Sequence, residues 1–316
     1  MLSALAADFS RISGVSTDVL VDVRHGGLDL PGCTIHTVDS ASAERETFSR
    51  LAAVADWTVV VAPEFDDSLY ARCLTVERAG GRLLSPNSRL VALAADKQAT
   101  AEHLSARGVP VAPGIALAAG ENLPVDFHYP AVLKPRFGAG SQGIRWIADA
   151  HAIDGAVPTA SRLEQYIAGT AVSVAALCGP PEGESSGIAP LVPCRQLIDR
   201  SAGFAYSGGS LPIEPVLAQR ATRLATRAIA TLADPLGYLG VDLVLGEDAS
   251  GADDAIIEIN PRLTTSYVGL RALARGNLAE AMMELAAGRR VELCWKGGSI
   301  QFQSSGGVER IELSSL

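Results

Sequence analysis

The chain has 316 residues, of which 48% are hydrophobic and only 19% charged, so it can bury the cores of two or three subdomains. Its net charge of −9 argues against a nucleic-acid partner. No apolar run approaches the ~18 residues that a membrane span needs. The N-terminus carries Asp8 early and has no basic lead, which is not typical of a secretory signal. These features predict a globular protein with a large buried core.

The cysteines are five in number, and no pair has the spacing of a metal or redox site. Reduced, mostly buried thiols are therefore expected, which is typical of a cytoplasmic protein. Cys194 lies near a candidate site, but we favour a structural thiol there over a catalytic one. The histidines are scattered without an i,i+4 pair, which argues against a zinc site.

The N-terminal region alternates strand and helix patterns. Residues 19–23 and 58–61 are apolar enough for buried strands, and residues 41–54 between them have a helical pattern. This alternation predicts a small parallel α/β domain. Glu64 follows the second strand at its carboxyl end, where ligands collect in such sheets. It could face a substrate amine, although a solvated loop acid is the interpretation that we favour.

A long helix is predicted to begin at Ser88, with Asn87 as its cap, and to run to about Ala106. Lys97 then lies near the middle of this helix. A single lysine on a helix usually faces solvent, so Lys97 is a candidate site residue only in combination with motifs later in the chain.

A glycine-rich segment follows the apolar strand 131–135, which contains Lys134. Glycines let backbone N–H groups approach an anion closely and can form an anion-binding nest. A dinucleotide-binding fingerprint must open a helix, but residues 144–147 look like a strand, and the Gly-Lys-Ser/Thr end of a P-loop is absent. A glycine flap between two strands remains, with a plain flexible hairpin tip as the alternative.

Two apolar runs near the C-terminal end carry three oxygen-bearing side chains. Asp242 lies in the first run, and Glu258 and Asn260 lie in the second. A hairpin loop at about residues 246–253 would bring Asp242 opposite Glu258. Alternation along the strand puts Glu258 and Asn260 on one face. Hard oxygen ligands suit Mg²⁺, which usually also binds substrate phosphates. The alternative is a solvated edge hairpin, which the apolar flanking residues make less favourable.

Two further segments carry weaker signals. Residues 162–169 form an apolar strand that turns at Gly169, where exposed backbone could bond an adenine edge, although for this segment alone we favour an ordinary core strand. Residues 201–210 are predicted to be a glycine-containing loop between a strand and a helix. Such a loop could close over a site and place Tyr206 against an aromatic substrate, or could simply be mobile.

The order of these pieces resembles the ATP-grasp superfamily over about residues 85–290. Lys97, the Leu-Lys-Pro around Lys134 with its flap, Glu-Gln-Tyr-Ile from Glu164, Asp242, and Glu-Ile-Asn-Pro-Arg from Glu258 occur in that sequence. The resemblance implies an α/β chain with α+β subdomains that hold ATP between them. It also implies that a carboxylate is joined to an amine through an acyl phosphate. We expect an N-terminal pre-ATP-grasp domain at 1–87, a small subdomain at 88–160 and a large subdomain at 161–316.

The resemblance also assigns roles position by position. It implies ATP and Mg²⁺ as cofactors, with Mn²⁺ as a substitute. The metal ligands match Asp242, Glu258 and Asn260; the nucleotide and phosphate lysines match Lys97 and Lys134; the arginine on the transferred group matches Arg262; the flap matches Gly138, Gly140, Ser141, Gln142 and Gly143; and the adenine hinge matches Glu164, Gln165, Tyr166 and Ile167. Lys134 and Arg262 are therefore the catalytic candidates. Many members have a ribose-binding Glu after the hinge glycine, where this chain has Thr-Ala-Val at 170–172.

Within the superfamily, three segments resemble the tyramine–glutamate ligase group of methanofuran biosynthesis. They are residues 258–267, 194–196 and 206–209. This likeness implies glutamate joined to tyramine or tyrosine, and a substrate site that includes Arg195, Tyr206, Gly208 and Gly209. A ligase for another amino acid or peptide and a non-catalytic nucleotide-binding regulator remain alternatives. That group often has a short strand before the helix that begins near Met1 in this chain, so the N-terminal part of this chain is expected to differ from that of the group. Members of the superfamily are often dimers, so a homodimer is an expectation.

Overall fold

The computed structural model describes residues 1–25, 27–183, 186–201 and 203–311. Within these ranges the strands form a two-stranded, a four-stranded and an eight-stranded sheet. Helices pack on the two-stranded and eight-stranded sheets, which confirms the predicted α/β chain with α+β parts. Among the described residues, no helix has the length and apolar character needed to cross a membrane.

The first sheet belongs to the N-terminal domain and is parallel, as predicted. Its elements are α1 (Leu2–Phe9), β1 (Thr17–Asp22), β2 (Cys33–Val38), α2 (Ala41–Val54) and α3 (Ser68–Arg78), with β1 paired to β2. Sequence analysis missed β2. The predicted strand at 58–61 is wrong as a regular strand, because Thr58 makes only an isolated bridge to Leu83. The Ser85 hydroxyl then accepts the N–H of Val60 at 3.0 Å, so a side chain takes the place of a ladder partner.

The single helix predicted from Ser88 to about Ala106 is wrong, because the chain forms α4 (Ser88–Ala95) and α5 (Lys97–Ser105). Asp96 between them is extended, and its carboxylate accepts the N–H groups of Gln98 and Ala99, which caps α5. Arg136 donates two hydrogen bonds, of 2.8 and 2.6 Å, to the same carboxylate. Lys97 is therefore the first residue of α5 and lies beside the glycine-rich segment.

The four-stranded sheet contains β3 (Gly114–Leu117), β4 (Ala131–Pro135), β5 (Arg145–Ile147) and β6 (Ser161–Gln165) in the order β3-β6-β4-β5. The glycine-rich segment connects β4 to β5, so it is a loop between two antiparallel strands. Because β6 pairs with β4 over its whole length, we propose that the small subdomain ends after Gln165 rather than after residue 160.

The eight-stranded sheet is the centre of the large subdomain. Its strands are β7 (Gly169–Cys178), β8 (Ile188–Pro190), β9 (Cys194–Asp199), β10 (Ala205–Leu211), β11 (Gly237–Gly246), β12 (Ala255–Asn260), β13 (Ser299–Gln303) and β14 (Val308–Ile311). The order is β12-β11-β7-β9-β10-β13-β14, with β8 beside β7. β11 and β12 form the predicted hairpin, and the Asp254 carboxylate closes its loop by accepting the Gly246 N–H at 3.0 Å.

Helices cover both faces of this sheet. The helices that follow β10 and β12 are α6 (Pro215–Ile229), α7 (Ser266–Leu273) and α8 (Leu278–Ala286). One core joins α4, α5 and α6 to the sheet, and the other joins α1, α7 and α8. The chain leaves the helical conformation after Leu273, and Asn277 caps α8 by accepting the N–H groups of Ala279 and Glu280.

The loop predicted at residues 201–210 is also wrong in its second half, because Ala205–Leu211 is strand β10 between β9 and β13. Gly208 has φ +144°, and a Cβ there would lie 2.0 Å from the Phe302 carbonyl oxygen. A Cβ on Gly209 would lie 2.6 Å from the Arg195 carbonyl oxygen. Close strand packing therefore accounts for both glycines and gives no support to their predicted contact with substrate.

We expect Gly208→Ala to lower the free energy of unfolding by about 3 kcal/mol, because the added methyl group cannot avoid the neighbouring backbone. Urea unfolding followed by circular dichroism measures this change. Gly80→Ala is the matched control, since Gly80 has φ +73° but a Cβ there meets no described atom within 4 Å. Its loss should be about 1 kcal/mol. Equal losses in the two variants would contradict the packing explanation.

Candidate active site

A cleft of about 890 Å³ lies between the four-stranded sheet and β7, β9, β11 and β12 of the large sheet. This volume is in the range of sites that hold small molecules. The predicted residues that line it are Lys97, Lys134, Gly138, Gly140, Ser141, Gln142, Glu164, Gln165, Tyr166, Ile167, Arg195, Tyr206, Asp242, Glu258, Asn260 and Arg262. Gly143, Gly208 and Gly209 are not among its described lining residues. The fold thus gathers segments that are up to 165 residues apart, from Lys97 to Arg262, around one space.

The strand register places Asp242 directly opposite Glu258, as the hairpin pattern predicts. Asn260 stands opposite Gly240, which has no side chain, and its amide nitrogen donates to Asp242 at 3.0 Å. The side chains of Ser173 and Gln196 also hydrogen-bond to Asp242. Burial, and then the charge of Glu258, raise the pKa of Asp242 to about 6. The arrangement holds two carboxylates together in a buried place.

These three side chains fit a hard divalent cation. A cation would relieve the repulsion between Asp242 and Glu258, and oxygen donors are those that Mg²⁺ and Mn²⁺ prefer. No group of three or more His, Cys, Asp or Glu side chains with the geometry of a metal site occurs in the part of the chain that the structure describes. The candidate metal site therefore has two carboxylates and one amide, which suits an ion that also binds phosphate oxygens and water.

A bulge in β12 connects this site to Lys134. The register moves from Asp242–Glu258 to Leu243–Ile256, so Ile257 is the extra residue. Its carbonyl oxygen accepts a hydrogen bond from Lys134 Nζ at 3.2 Å. The bulge therefore lets β12 of the eight-stranded sheet accept a hydrogen bond from Lys134 of the four-stranded sheet.

Lys134 is held in place by a buried charge cluster. Its Nζ lies 2.7 Å from Glu164 Oε1, and Arg162 Nε lies 3.1 Å from Glu164 Oε2. All three side chains are at most 5% exposed. Arg162 also binds Gln98 and the Ala112 carbonyl oxygen. Glu164 therefore holds Lys134 through its side chain, which the prediction of an adenine hinge did not include. Arg162 was missed, although its i,i+2 spacing to Glu164 on one strand predicts a shared face.

Lys97 contacts both the glycine-rich loop and strand β12. Its Nζ donates to the Gly138 carbonyl oxygen at 2.7 Å and lies 3.7 Å from Glu258 Oε2. Gly138, Gly140 and Ser141 all have positive φ, of 125°, 72° and 60°. A loop with several left-handed residues can direct several N–H groups at an anion. Gly143 instead packs on Pro135, where a Cβ would lie 3.0 Å from the ring.

Arg262 is bound by Glu64 of the N-terminal domain. Arg262 Nε donates to Glu64 Oε2 at 2.8 Å, and the Glu64 side chain is only 4% exposed. The favoured interpretation of Glu64 as a solvated loop acid is therefore wrong. Burial raises the pKa of Glu64, and the charge and hydrogen bond of Arg262 oppose that rise. Sequence reasoning missed this pair because its members are 198 residues apart.

The outer end of the cleft contains cations and aromatic rings. Tyr206 is half-buried, and burial raises its pKa well above the usual range. Tyr166 packs edge-on against Trp146, with ring centroids 4.6 Å apart, and the Arg200 guanidinium lies 5.7 Å from the Tyr166 ring. Arg195 faces Glu214 at 3.2 Å and is partly exposed. Arg200 and Phe204, which also line the cleft, were not predicted.

The cysteines among the described residues are free thiols. Cys194 is buried under the cleft, where its thiol contacts the Ser173 carbonyl oxygen at 3.5 Å. Burial, with the charge of Asp242, raises its pKa to about 12. A thiol that stays protonated at neutral pH is a poor nucleophile, which supports a structural role for Cys194.

Comparison with known families agrees with this geometry. Residues 94–266, more than half of the chain, match an ATP-grasp domain, and residues 15–91 match a pre ATP-grasp 3 domain. The chain belongs to the ATP-grasp family. Its pre-ATP-grasp domain contains Glu64. Its ATP-grasp domain contains the candidate metal ligands and also Lys97, Lys134 and Arg262.

Individual relatives are distant. The chain is 30% identical over 135 residues to tyramine–L-glutamate ligase of Methanocaldococcus jannaschii, an alignment that covers 43% of this chain and 39% of that relative. A putative ATP-grasp superfamily protein from Archaeoglobus fulgidus is 22% identical with a TM-score of 0.63, over 86% of this chain and 74% of that one. The biotin carboxylase domain dimer of Hydrogenobacter thermophilus 2-oxoglutarate carboxylase, solved with MgADP, is 15% identical with a TM-score of 0.74, over 94% and 71%. The two solved structures show the fold alone.

We expect Asp242 to destabilise the metal-free protein at neutral pH. Its pKa is about 6 in the folded chain and 3.8 ordinarily, so between these values the folded chain keeps a proton that the unfolded chain releases. Stability therefore falls as the pH rises from about 4 to about 6. In EDTA, Asp242→Asn should raise Tm by roughly 3 °C at about pH 7.5 and have little effect near pH 4. Differential scanning calorimetry at both pH values measures this.

The control for this experiment is Asp8→Asn. The Asp8 carboxylate is buried, and it accepts hydrogen bonds from Tyr267 at 2.7 Å and from Arg271 at 2.7 and 2.8 Å. Removing its charge should lower Tm. A lower Tm for Asp242→Asn at neutral pH as well would contradict the repulsion between the two carboxylates.

Proposed function

We propose that the protein is an ATP-dependent ligase that joins a carboxylate to an amine through an acyl phosphate and forms ADP. The observation that carries this proposal is the opposed pair Asp242 and Glu258 in one cleft with Lys97, Lys134 and Arg262. Phosphoryl transfer from ATP requires carboxylates that can bind a metal ion and positively charged side chains that can bind the phosphates. The cleft contains two such carboxylates and three such side chains. The MgADP complex of the Hydrogenobacter relative supports ATP and Mg²⁺ as the cofactors.

The residues would act mainly by position and charge, because phosphoryl transfer asks for little covalent chemistry from the protein. Lys134, fixed by Glu164, would hold the leaving phosphates together with backbone N–H groups of the glycine-rich loop. A bound Mg²⁺ would neutralise charge that develops on the phosphate oxygens. Arg262 would grip the acyl phosphate with a planar fork. Closure of the loop would keep water from the intermediate.

The proposed substrates are glutamate and either tyramine or tyrosine, as part of methanofuran-type cofactor biosynthesis. Two observations support them: the 30% identity to a tyramine–L-glutamate ligase, and the cations and rings at the outer end of the cleft. There Arg195 or Arg200 would bind a carboxylate, and Tyr206 would stack on a phenol ring.

A cytoplasmic location and a homodimer complete the proposal. The free cysteines support the first, and the dimer of the Hydrogenobacter relative supports the second.

Mass spectrometry of the pure protein with MgATP, L-glutamate and either tyramine or tyrosine tests this function. The expected result is a species at the summed mass less one water, with ADP formed in equal amount. The Glu258→Ala protein, whose circular dichroism spectrum should show an intact fold, should form neither. ADP release that depends on glutamate without these products would keep the ligase and change the amine. Tight ATP binding without ADP would favour the regulatory alternative, which the absent ribose-binding Glu at 170–172 supports.

Arg262→Lys should reduce kcat by more than about tenfold, equal to roughly 1.4 kcal/mol, because an ammonium group cannot make the two parallel bonds of a guanidinium. Steady-state ADP release with varied ATP and glutamate measures the change. Lys296→Arg, at an exposed cation that binds the Ala272 carbonyl oxygen, is the surface control and should have no effect. A loss below tenfold would place Arg262 away from the transferred group.

A further inference from the structure

We infer that Glu64 of the N-terminal domain is a positioning residue for the transfer step: it fixes the guanidinium of Arg262 so that its remaining N–H groups face the cleft. This inference rests on the proposed function, in which Arg262 holds the transferred phosphoryl or acyl phosphate. It adds a residue outside the nucleotide-binding subdomains to the machinery. The N-terminal domain would then be a working part of the active site.

The first support is the way in which the Arg262 donors are distributed. Nε donates to Glu64 at 2.8 Å, and Nη1 donates to the Leu263 carbonyl oxygen at 3.3 Å. An arginine has five N–H donors in a rigid plane, so bonds at Nε and Nη1 fix the direction of that plane. Arg262 lines the cleft, and its side chain is 15% exposed. The Nη2 donors, which have no hydrogen-bond partner among the described residues, are therefore available to the cleft.

The second support is the burial of Glu64. An isolated buried carboxylate is strongly unfavourable, so Glu64 depends on its cationic partner as much as Arg262 depends on Glu64. The charge of Glu258 also raises the pKa of Glu64, whereas the charge and hydrogen bond of Arg262 lower it. Glu64 therefore needs Arg262 as its partner in this part of the cleft.

The third support is the backbone next to Glu64. Asp66 and Asp67 both have left-handed φ values, of 54° and 52°. Such values cost non-glycine residues about 1 kcal/mol or more each and are concentrated at functional sites. The Leu69 N–H donates to the Pro63 carbonyl oxygen at 3.1 Å, which ties this strained segment to the start of α3. The segment therefore holds Glu64 at a fixed place against Arg262.

A positioning role and a purely structural role predict different kinetics. If Glu64 acts through Arg262, Glu64→Ala should lower kcat about tenfold and leave KM for ATP within about twofold, because Lys97 and Lys134 still hold the nucleotide. Glu64→Gln keeps an oxygen that can accept from Nε, so it should lose only about threefold. A structural role would change melting temperature and KM together and would not be rescued by Gln.

A double-mutant cycle tests the coupling. Arg262→Ala should lower kcat about 100-fold, and the variant with both Arg262→Ala and Glu64→Ala should be no slower within about threefold. Additive losses would overturn the inference. Glu44→Gln is the matched control, since it removes another Glu–Arg pair in the same domain, with Arg72, away from the cleft. It should leave kcat unchanged and be additive with Arg262→Ala.

A binding measurement keeps the inference testable even if the proposed substrates are wrong. Calorimetry would compare the affinity for a non-hydrolysable MgATP analogue with that for MgADP. Glu64→Ala and Arg262→Ala should each reduce the preference for the triphosphate about threefold or more, and the double variant no further. An unchanged preference in Glu64→Ala would overturn the inference regardless of turnover, whereas failure of ADP release in the wild type would overturn only the proposed function.

Discussion

The arrangement of the cleft depends on one extra residue in β12. Because Ile257 bulges out of the β11–β12 ladder, Glu258 lies opposite Asp242 while the Ile257 carbonyl oxygen turns to Lys134. A regular ladder would use that carbonyl for strand pairing. The bulge thus forms the candidate metal pair and the bond from the large sheet to the small one in the same short segment.

Around this point, three cations of the cleft are each held by an acid or a carbonyl group. Lys134 binds Glu164, Lys97 binds the Gly138 carbonyl oxygen, and Arg262 binds Glu64. A chain of net charge −9 can therefore present a basic surface to an anionic nucleotide without burying unpaired charges. Positions fixed in advance also reduce the reorganisation that a phosphoryl-transfer site needs when its ligand arrives.

The features that could be predicted from sequence are those with short-range signals. The β11–β12 hairpin and the pairing of Asp242 with Glu258 follow from alternation and turn residues within about twenty positions. The helix boundary at Asp96 was missed because apolar periodicity continues across it. Gly208 looked like a flexible loop residue because β13, which packs against it, lies more than ninety residues later. Glu64 looked like a surface acid because its partner lies in another domain. In the last two cases the local pattern of glycines or polar residues contained no sign of the distant contact, and tertiary packing gave the residue a different role.

Several unfavourable features of the chain lie at or near the cleft. The Asp242–Glu258 repulsion, the positive φ values of Ser141, Asp66 and Asp67, and the buried Glu64 all lie in or beside it. Selection for stability alone would remove such features, since each lowers the free energy of unfolding. A nucleotide with its metal ion would offset several of them together, by neutralising the carboxylates and by binding the strained loop. The same strain that weakens the free protein would then increase the difference in stability between the empty and the occupied cleft.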